Sequence, residues 1–87
     1  MTTYEVEHRW QPNETNKVVE KVQGAVALIK AGKVPAGFHP HEIYAVGGKT
    51  LARCVWEAPS AKALEDLYVQ LGVPTQRTIT EVSEFYH

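Results

Sequence analysis

The fold is decided by residues 37–59, which read GFHPHEIYAVGGKTLARCVWEAP. Gly47 and Gly48 separate two runs with strand character, and a Gly-Gly pair suits a two-residue turn in which both residues have positive φ. We therefore predict a β-hairpin in which Val46 lies opposite Lys49. Stepping outward, this register gives the pairs Tyr44–Leu51, Glu42–Arg53, His41–Cys54 and His39–Trp56.

The predicted register also sorts the side chains of the hairpin onto two faces, because successive residues of a strand point to opposite sides. The opposite charges of Glu42 and Arg53 favour the register, since such a pair is stabilising directly across a hairpin. One face then collects two imidazoles and the only thiol of the chain, namely His39, His41 and Cys54. A longer loop, with residues 46–49 all in the turn, keeps both histidines on one side but changes the residues opposite them.

Length and composition limit the class of protein. A chain of 87 residues predicts a single domain, residues 1–87, with a small core. One cysteine and no signal-like apolar run near residue 1 predict a reducing, cytoplasmic location. The net charge of -1, with no basic block, argues against nucleic-acid binding. The longest apolar stretch, around residues 24–29, is too short to span a membrane.

Two elements are predicted before the hairpin. Residues 4–10 alternate between apolar and charged positions, which predicts a strand. A helix follows, capped by one of residues 13, 15 or 16 and ending near Gly32. Its apolar face recurs at helical spacing and consists of Val18, Val22, Val26 and Ile29.

Two more elements are predicted after the hairpin. Ser60 is a good N-cap for a second helix, which Gly72 ends and Pro74 prevents from continuing. Residues 77–86 are rich in β-branched and aromatic side chains and predict a final strand.

The resulting order is β-α-β-β-α-β, which predicts an α+β, ferredoxin-like fold. In this fold the first and third strands lie at the centre of an antiparallel sheet, and both helices cover one face. Residues 51–56 carry apolar side chains in both alternating sets, so this strand is expected to be buried on both faces. A second copy packed sheet on sheet would provide that burial, and we therefore predict a homodimer.

With this element order and size, the chain resembles the dimeric α/β-barrel superfamily of ferredoxin-like proteins, including small uncharacterised members and a nickel-binding branch with a His-bearing first strand. The residues that carry the resemblance are Val6-Glu7-His8-Arg9, Trp56 with Ser60-Ala61 and Leu64, and Gly72-Val73-Pro74 before Thr80-Glu81-Val82. The superfamily includes cofactor-independent monooxygenases, muconolactone-isomerase-like enzymes, haem-handling proteins and proteins without known activity, so the resemblance implies a fold rather than one chemistry.

Three histidines and the cysteine form the predicted metal site. His39 and His41 are two residues apart, His8 is on a central strand, and Cys54 is expected opposite His41. Imidazole and thiolate are suitable ligands for Ni, Zn or Cu. In the alternative interpretation, His39 is a solvated loop residue, His8 is a hydrogen-bonded core histidine and Cys54 is a small buried hydrophobe.

An overlapping set of residues predicts a ligand pocket with a general base and an aromatic wall, namely His8, Trp10, His41, Tyr44 and Trp56. The main functional prediction is a homodimer that binds a small ligand or a transition metal at the sheet face. The alternative is a cofactor-independent monooxygenase or isomerase acting on a small aromatic or carbonyl compound. A third possibility is an interaction module whose sheet face serves only for dimerisation, so the sequence leaves open whether the protein is an enzyme.

Overall fold

The structure, a computed structural model, describes residues 2–83 of the chain. The strands are β1 (Thr2–Arg9), β2 (His39–Ala45), β3 (Leu51–Ala58) and β4 (Gln76–Glu81), and the helices are α1 (Thr15–Lys30) and α2 (Ala61–Leu71), with a 3-10 turn at Pro12–Glu14. Residues 84–86 of the predicted last strand lie outside the described residues. Among those described, no helix combines the length and apolar character needed to cross a membrane.

The described strands form one antiparallel sheet in the order β2-β3-β1-β4, which confirms the predicted α+β, ferredoxin-like arrangement with β1 and β3 in the centre. One face of the sheet carries the core, because Val6 of β1 and Trp56 of β3 pack with the buried residues of α2. Ile29 of α1 packs against the same core from above. Both helices therefore cover this face, and no helix of residues 2–83 packs on the opposite face, which we call the open face.

The ends of α2 follow local sequence signals. Ser60 Oγ accepts a hydrogen bond of 3.0 Å from the backbone N–H of Ala63, and Gly72 adopts the left-handed conformation with φ of 70°. Both caps were predicted. The start of α1 differs, because no side chain bonds to its N-terminal amides within the described residues. Thr15 instead accepts a 3.0 Å hydrogen bond from Trp10 Nε1 and donates one to Pro12 O.

The hairpin loop is longer than the sequence predicts. Val46 N donates to Leu51 O at 2.9 Å, so residues 47–50 form a four-residue loop and Ala45 lies opposite Ala52. The prediction of a two-residue turn is therefore wrong. The structure describes both loop glycines, and only Gly48 has a positive φ, which is 70°. The true register differs from the predicted one by two residues, which leaves the face of each β3 side chain unchanged.

A β-bulge in β2 moves the histidines to the opposite face from Cys54. The pairing is irregular between Pro40 and Glu42, so His41 has no partner in β3, and Cys54 faces Ile43 instead. An inserted residue reverses the alternation of side chains beyond it. The predicted pair His41–Cys54 is therefore wrong.

The bulge also changes the pairing of the first residues of β2. His39 lies opposite Glu57 rather than Trp56, which pairs with Pro40. His41 lies on the open face as well, where its Nε2 is 3.4 Å from a carboxylate oxygen of Glu57.

The open face carries a network of charged side chains. Arg53 lies opposite Tyr44 rather than Glu42, so the predicted Glu42–Arg53 pair is also wrong. Its guanidinium instead reaches β1, with Nη2 3.4 Å from a carboxylate oxygen of Glu7. Arg9 binds the other carboxylate oxygen of Glu7, and Arg53 Nε lies 4.0 Å from a carboxylate oxygen of Glu5, so two arginines face two glutamates within the chain.

Candidate ligand pocket

A cavity of about 320 Å³ lies between α1 and the covered face of the sheet. Valines of α1 form its upper wall, and β1, β2 and β3 form its floor. The aliphatic lining residues are Val18, Val19, Val22, Val26, Ile43, Ala45 and Ala52. Its size is at the lower end of the range for small-molecule sites, which are typically apolar with a few polar groups.

Short side chains leave this space open. Of the residues of α1, all of which the structure describes, Val18 alone is buried, and Val19 is 45% exposed. The sheet residues beneath α1 include Ala45 and Ala52, whose side chains end at Cβ. Valine and alanine together do not span the distance between helix and sheet, so the apolar face of α1 lines a cavity instead of a packed core.

The lining contains no charged side chain among the described residues. Its polar groups are His8, Gln23, Tyr44, Cys54 and Thr75, and the indole N–H of Trp10 is already bonded to Thr15. A charged ligand would lose its hydration without gaining a partner of opposite charge, which is strongly unfavourable. The pocket therefore favours an uncharged molecule.

His8 lies at the inner wall of the pocket and is 3% exposed. Burial, and to a lesser degree the nearby positive charge of Arg77, lower its pKa to about 4, while the charge of Glu65 acts in the opposite direction. The imidazole is therefore neutral at neutral pH. Its Nδ1 is 2.7 Å from Thr75 Oγ1, and its ring meets the ring of Tyr68 edge to face with centroids 4.9 Å apart.

Cys54 contacts His8 across the sheet, with 3.5 Å between Sγ and Nε2. Burial raises the pKa of the Cys54 thiol, so the thiol is protonated at neutral pH. The pair is thus a neutral thiol beside a neutral imidazole. A reactive cysteine requires the thiolate form, so this geometry does not support a nucleophilic role for Cys54.

Arg77 connects His8 to the surface of α2. Its guanidinium binds both carboxylate oxygens of Glu65, at 2.9 and 2.6 Å, and this interaction lowers the pKa of Glu65. Nη1 of Arg77 also donates to Val73 O at 2.8 Å and to Thr75 Oγ1 at 3.3 Å. A continuous chain of polar contacts therefore runs from Glu65 through Arg77, Thr75 and His8 to Cys54.

Thr75 and Arg77 are not among the site residues that the sequence predicts. A signal was present, because Arg77 and Ile79 occupy alternating positions in β4 and therefore point to the same face. An arginine that shares a face with a core isoleucine requires a partner of opposite charge. Glu65 of α2 is that partner, and the arginine lies 5.3 Å from the centroid of the Tyr68 ring.

The predicted pocket residues are divided by the structure. His8 and Trp10 line the cavity, and Tyr44 also lines it although it pairs with Arg53 of the open face. His41 is on the open face beside Glu57, as described above. Trp56 is 2% exposed and packs edge to face against Tyr68, away from this cavity.

Trp56 and Tyr68 form a second group of buried polar atoms in the core. Neither Trp56 Nε1 nor Tyr68 Oη has a hydrogen-bond partner within residues 2–83. Burial raises the pKa of the Tyr68 hydroxyl, so the phenol remains protonated and neutral. These two groups lie in the layer between β3 and α2, beneath the wall formed by Cys54.

The four predicted metal ligands do not come together. His8 and Cys54 are in contact in the core, whereas His39 and His41 lie on the open face because of the bulge in β2. Within residues 2–83, no group of three or more histidine, cysteine, aspartate or glutamate side chains could hold a metal ion. His8 and Cys54 alone are two ligands, fewer than the three or four protein ligands of a typical zinc site.

Comparison with known proteins does not assign the chain to a family. No model of a known protein family matches it, and no curated protein matches it either. The resemblance to the dimeric α/β-barrel superfamily stays a prediction.

Proposed function

We propose that the protein binds a small, uncharged and mainly apolar molecule in the pocket between α1 and the sheet. The observation that carries the proposal is the cavity of about 320 Å³, which has aliphatic walls and a polar end at His8, Cys54 and Thr75. The aliphatic walls supply affinity by removing apolar surface from water, and the polar groups orient the ligand.

The protonation state of His8 favours a role in ligand binding over a role as a catalytic base. A general base is most effective when its pKa is near the working pH, whereas the pKa of His8 is lowered to about 4. The adjacent Cys54 thiol is protonated and offers no nucleophile. A cofactor-independent monooxygenase or isomerase therefore stays a prediction from the sequence.

Binding can be tested by titrating ¹⁵N-labelled protein with indane, a neutral bicyclic hydrocarbon, and recording amide spectra. We expect the largest shifts at Val22, Val26 and Ala52, which line the cavity. Val22→Phe places a larger side chain in the cavity and should abolish the shifts. Val69→Phe is the matched control, because Val69 is 64% exposed on α2 and should leave binding intact.

Two outcomes would contradict the proposal. The first is the absence of saturable shifts in the wild-type protein up to the solubility limit of indane. The second is equal binding by the wild type and Val22→Phe, which would place the ligand elsewhere on the molecule.

We also propose that a second copy of the chain packs on the open face of the sheet. Leu51 and Val55 of β3 are half-buried apolar residues on this face, and the surrounding Arg9 and Arg53 are balanced by Glu5 and Glu7 within the chain. A two-fold related copy can therefore cover the apolar residues without charge repulsion.

In sedimentation equilibrium we expect the wild-type protein to be a dimer. Val55→Glu should dissociate this dimer, whereas Val69→Glu should leave it intact. A wild-type monomer at all concentrations would contradict this.

The single cysteine supports a proposal about location. Cys54 is buried as a free thiol, and it is the only cysteine in the chain. Such a thiol is compatible with a reducing compartment, so we propose a cytoplasmic protein. Fractionation of the host cell tests this, and recovery outside the cytoplasmic fraction would contradict it.

A further inference from the structure

We infer that His8 presents its Nε2–H group to the pocket as a hydrogen-bond donor, so that the pocket selects an uncharged ligand carrying an acceptor such as a ketone, ester or amide carbonyl. The inference rests on the proposed function and specifies the class of ligand for the same site. It follows from the donors and acceptors along the chain of contacts from Arg77 to Cys54.

The first step concerns Arg77 and Thr75. A guanidinium has only donor groups, so Thr75 Oγ1 must accept the 3.3 Å hydrogen bond from Arg77 Nη1. Arg77 is fixed in place by its two contacts with Glu65 and its bond to Val73 O. The hydroxyl proton of Thr75 is thereby directed away from Arg77.

The second step concerns Thr75 and His8. Thr75 Oγ1 also lies 2.7 Å from Nδ1 of His8, and we assign the Thr75 proton to this contact, with Nδ1 as its acceptor. A neutral imidazole has one N–H group and one bare nitrogen. When Nδ1 accepts the Thr75 proton, the ring proton is on Nε2. The ring is neutral at neutral pH because burial and the charge of Arg77 lower the pKa of His8.

The third step concerns the direction of the Nε2–H group. Its protein partner is Cys54 Sγ at 3.5 Å, and a thiol sulfur is a weak acceptor. His8 and Cys54 both line the cavity, so this contact lies at the pocket wall. A carbonyl oxygen bound there would replace the sulfur as the acceptor and give a stronger hydrogen bond.

The tautomer of His8 can be measured directly. Long-range ¹H–¹⁵N spectra distinguish a protonated from a bare ring nitrogen, and we expect a bare Nδ1 and a protonated Nε2 in the wild-type protein. Thr75→Ser retains the hydroxyl and should retain this tautomer, whereas Thr75→Val should lose it. A protonated Nδ1 in the wild type would overturn the inference whatever the pocket binds.

The ligand preference is tested with three bicyclic probes of similar shape: indane, 1-indanone, which has a carbonyl acceptor, and indole, which has an N–H donor. The readout is the ratio of the Kd of indane to that of 1-indanone, so any general change in the pocket cancels. We expect Thr75→Val to lower this ratio by about three- to tenfold, the value of one net hydrogen bond, and Thr75→Ser to preserve it. Indole should bind no more tightly than indane.

The outcomes separate the two proposals. If indane binds and Thr75→Val leaves the ratio unchanged, the selection of an acceptor is overturned and the binding pocket stands. If indole binds more tightly than 1-indanone, the donor assignment of His8 is likewise overturned. If none of the three probes binds, both the pocket and its preference are overturned.

Discussion

At position 8, a histidine of the central strand β1 is packed against residues from three other elements. Cys54 faces it from β3, Arg77 from β4, and Tyr68 and Glu65 from α2. Burial of the ring and the positive charge of Arg77 keep His8 neutral in the folded protein, against the smaller opposite effect of Glu65. The unfolded chain has no such environment, so the two states differ in the number of protons that His8 binds.

This difference makes stability depend on pH. The pKa of His8 is about 4 in the folded state against 6.5 in the unfolded chain, so the unfolded state binds more protons between these values. Stability is therefore lost as the pH falls through this window. Between pH 7 and pH 5 we expect the free energy of unfolding to fall by about 2 kcal/mol on account of His8, as measured by urea unfolding.

Two variants identify the source of the effect. His8→Gln removes the titrating group, so its stability should change less between pH 7 and pH 5 than that of the wild type. His41→Gln alters a histidine on the open face and should retain the wild-type dependence. An unchanged pH dependence in His8→Gln would refute the assignment.

A site residue can be predicted from the sequence when its position and that of its partner both belong to recognisable strands. His8 and Cys54 were both identified, because each occupies a position in an alternating strand and their strands were placed side by side. Thr75 was missed because it is 67 residues from His8 and belongs to the segment leading into β4. Spacing within one strand contains no information about such a partner.

The hairpin loop provides a test at the level of one element. Gly48 has a φ of 70°, whereas Gly47 does not have a positive φ, and neither has a neighbouring atom where a Cβ would be placed. Gly48→Ala should therefore destabilise the protein by about 1–2 kcal/mol through backbone strain alone. Gly47→Ala is the matched control and should have little effect in urea unfolding. Equal losses in the two variants would contradict this account.

The elements themselves were largely predictable, but their register was not. Ser60 and Gly72 bounded α2 correctly because caps depend on local chemistry. The predicted hairpin register was wrong by two residues. Because side chains alternate with a period of two, each β3 side chain still lies on the predicted face. The bulge inserts a single residue into β2, and an insertion of one residue reverses the alternation of the side chains beyond it. His39 and His41 therefore lie on the open face, away from the other two predicted metal ligands.

For the molecule as a whole, a substitution that fills the cavity beneath α1 should increase stability and abolish ligand binding. Val22→Phe would fill part of the cavity and should raise the free energy of unfolding by about 1 kcal/mol, since the added ring gains contacts in existing space. Thermal unfolding of this variant beside Val69→Phe measures the gain. A Val22→Phe protein less stable than the wild type would mean that the space between α1 and the sheet is too small for a ligand.

The cavity itself was not predictable from the sequence. The apolar periodicity of α1 predicted a packed helix, and the periodicity is correct, since Val18, Val22 and Val26 all face the sheet. Packing, however, depends on the sizes of residues that meet across two elements. Ala45 and Ala52 pair with each other and lie opposite these valines, and this arrangement cannot be inferred without the correct hairpin register.

The irregular start of β2 has a consequence for the solution behaviour of the protein. β2 is an edge strand of the sheet, and an edge with a continuous row of unpaired amides and carbonyls is a template for adding strands from other molecules. Pro40 has no amide proton and the bulge at His41 breaks the regular spacing, so this edge offers only a short run of groups to an incoming strand. The same irregularity that separates the histidines from Cys54 thus makes the β2 edge a poor template for the addition of strands from other molecules.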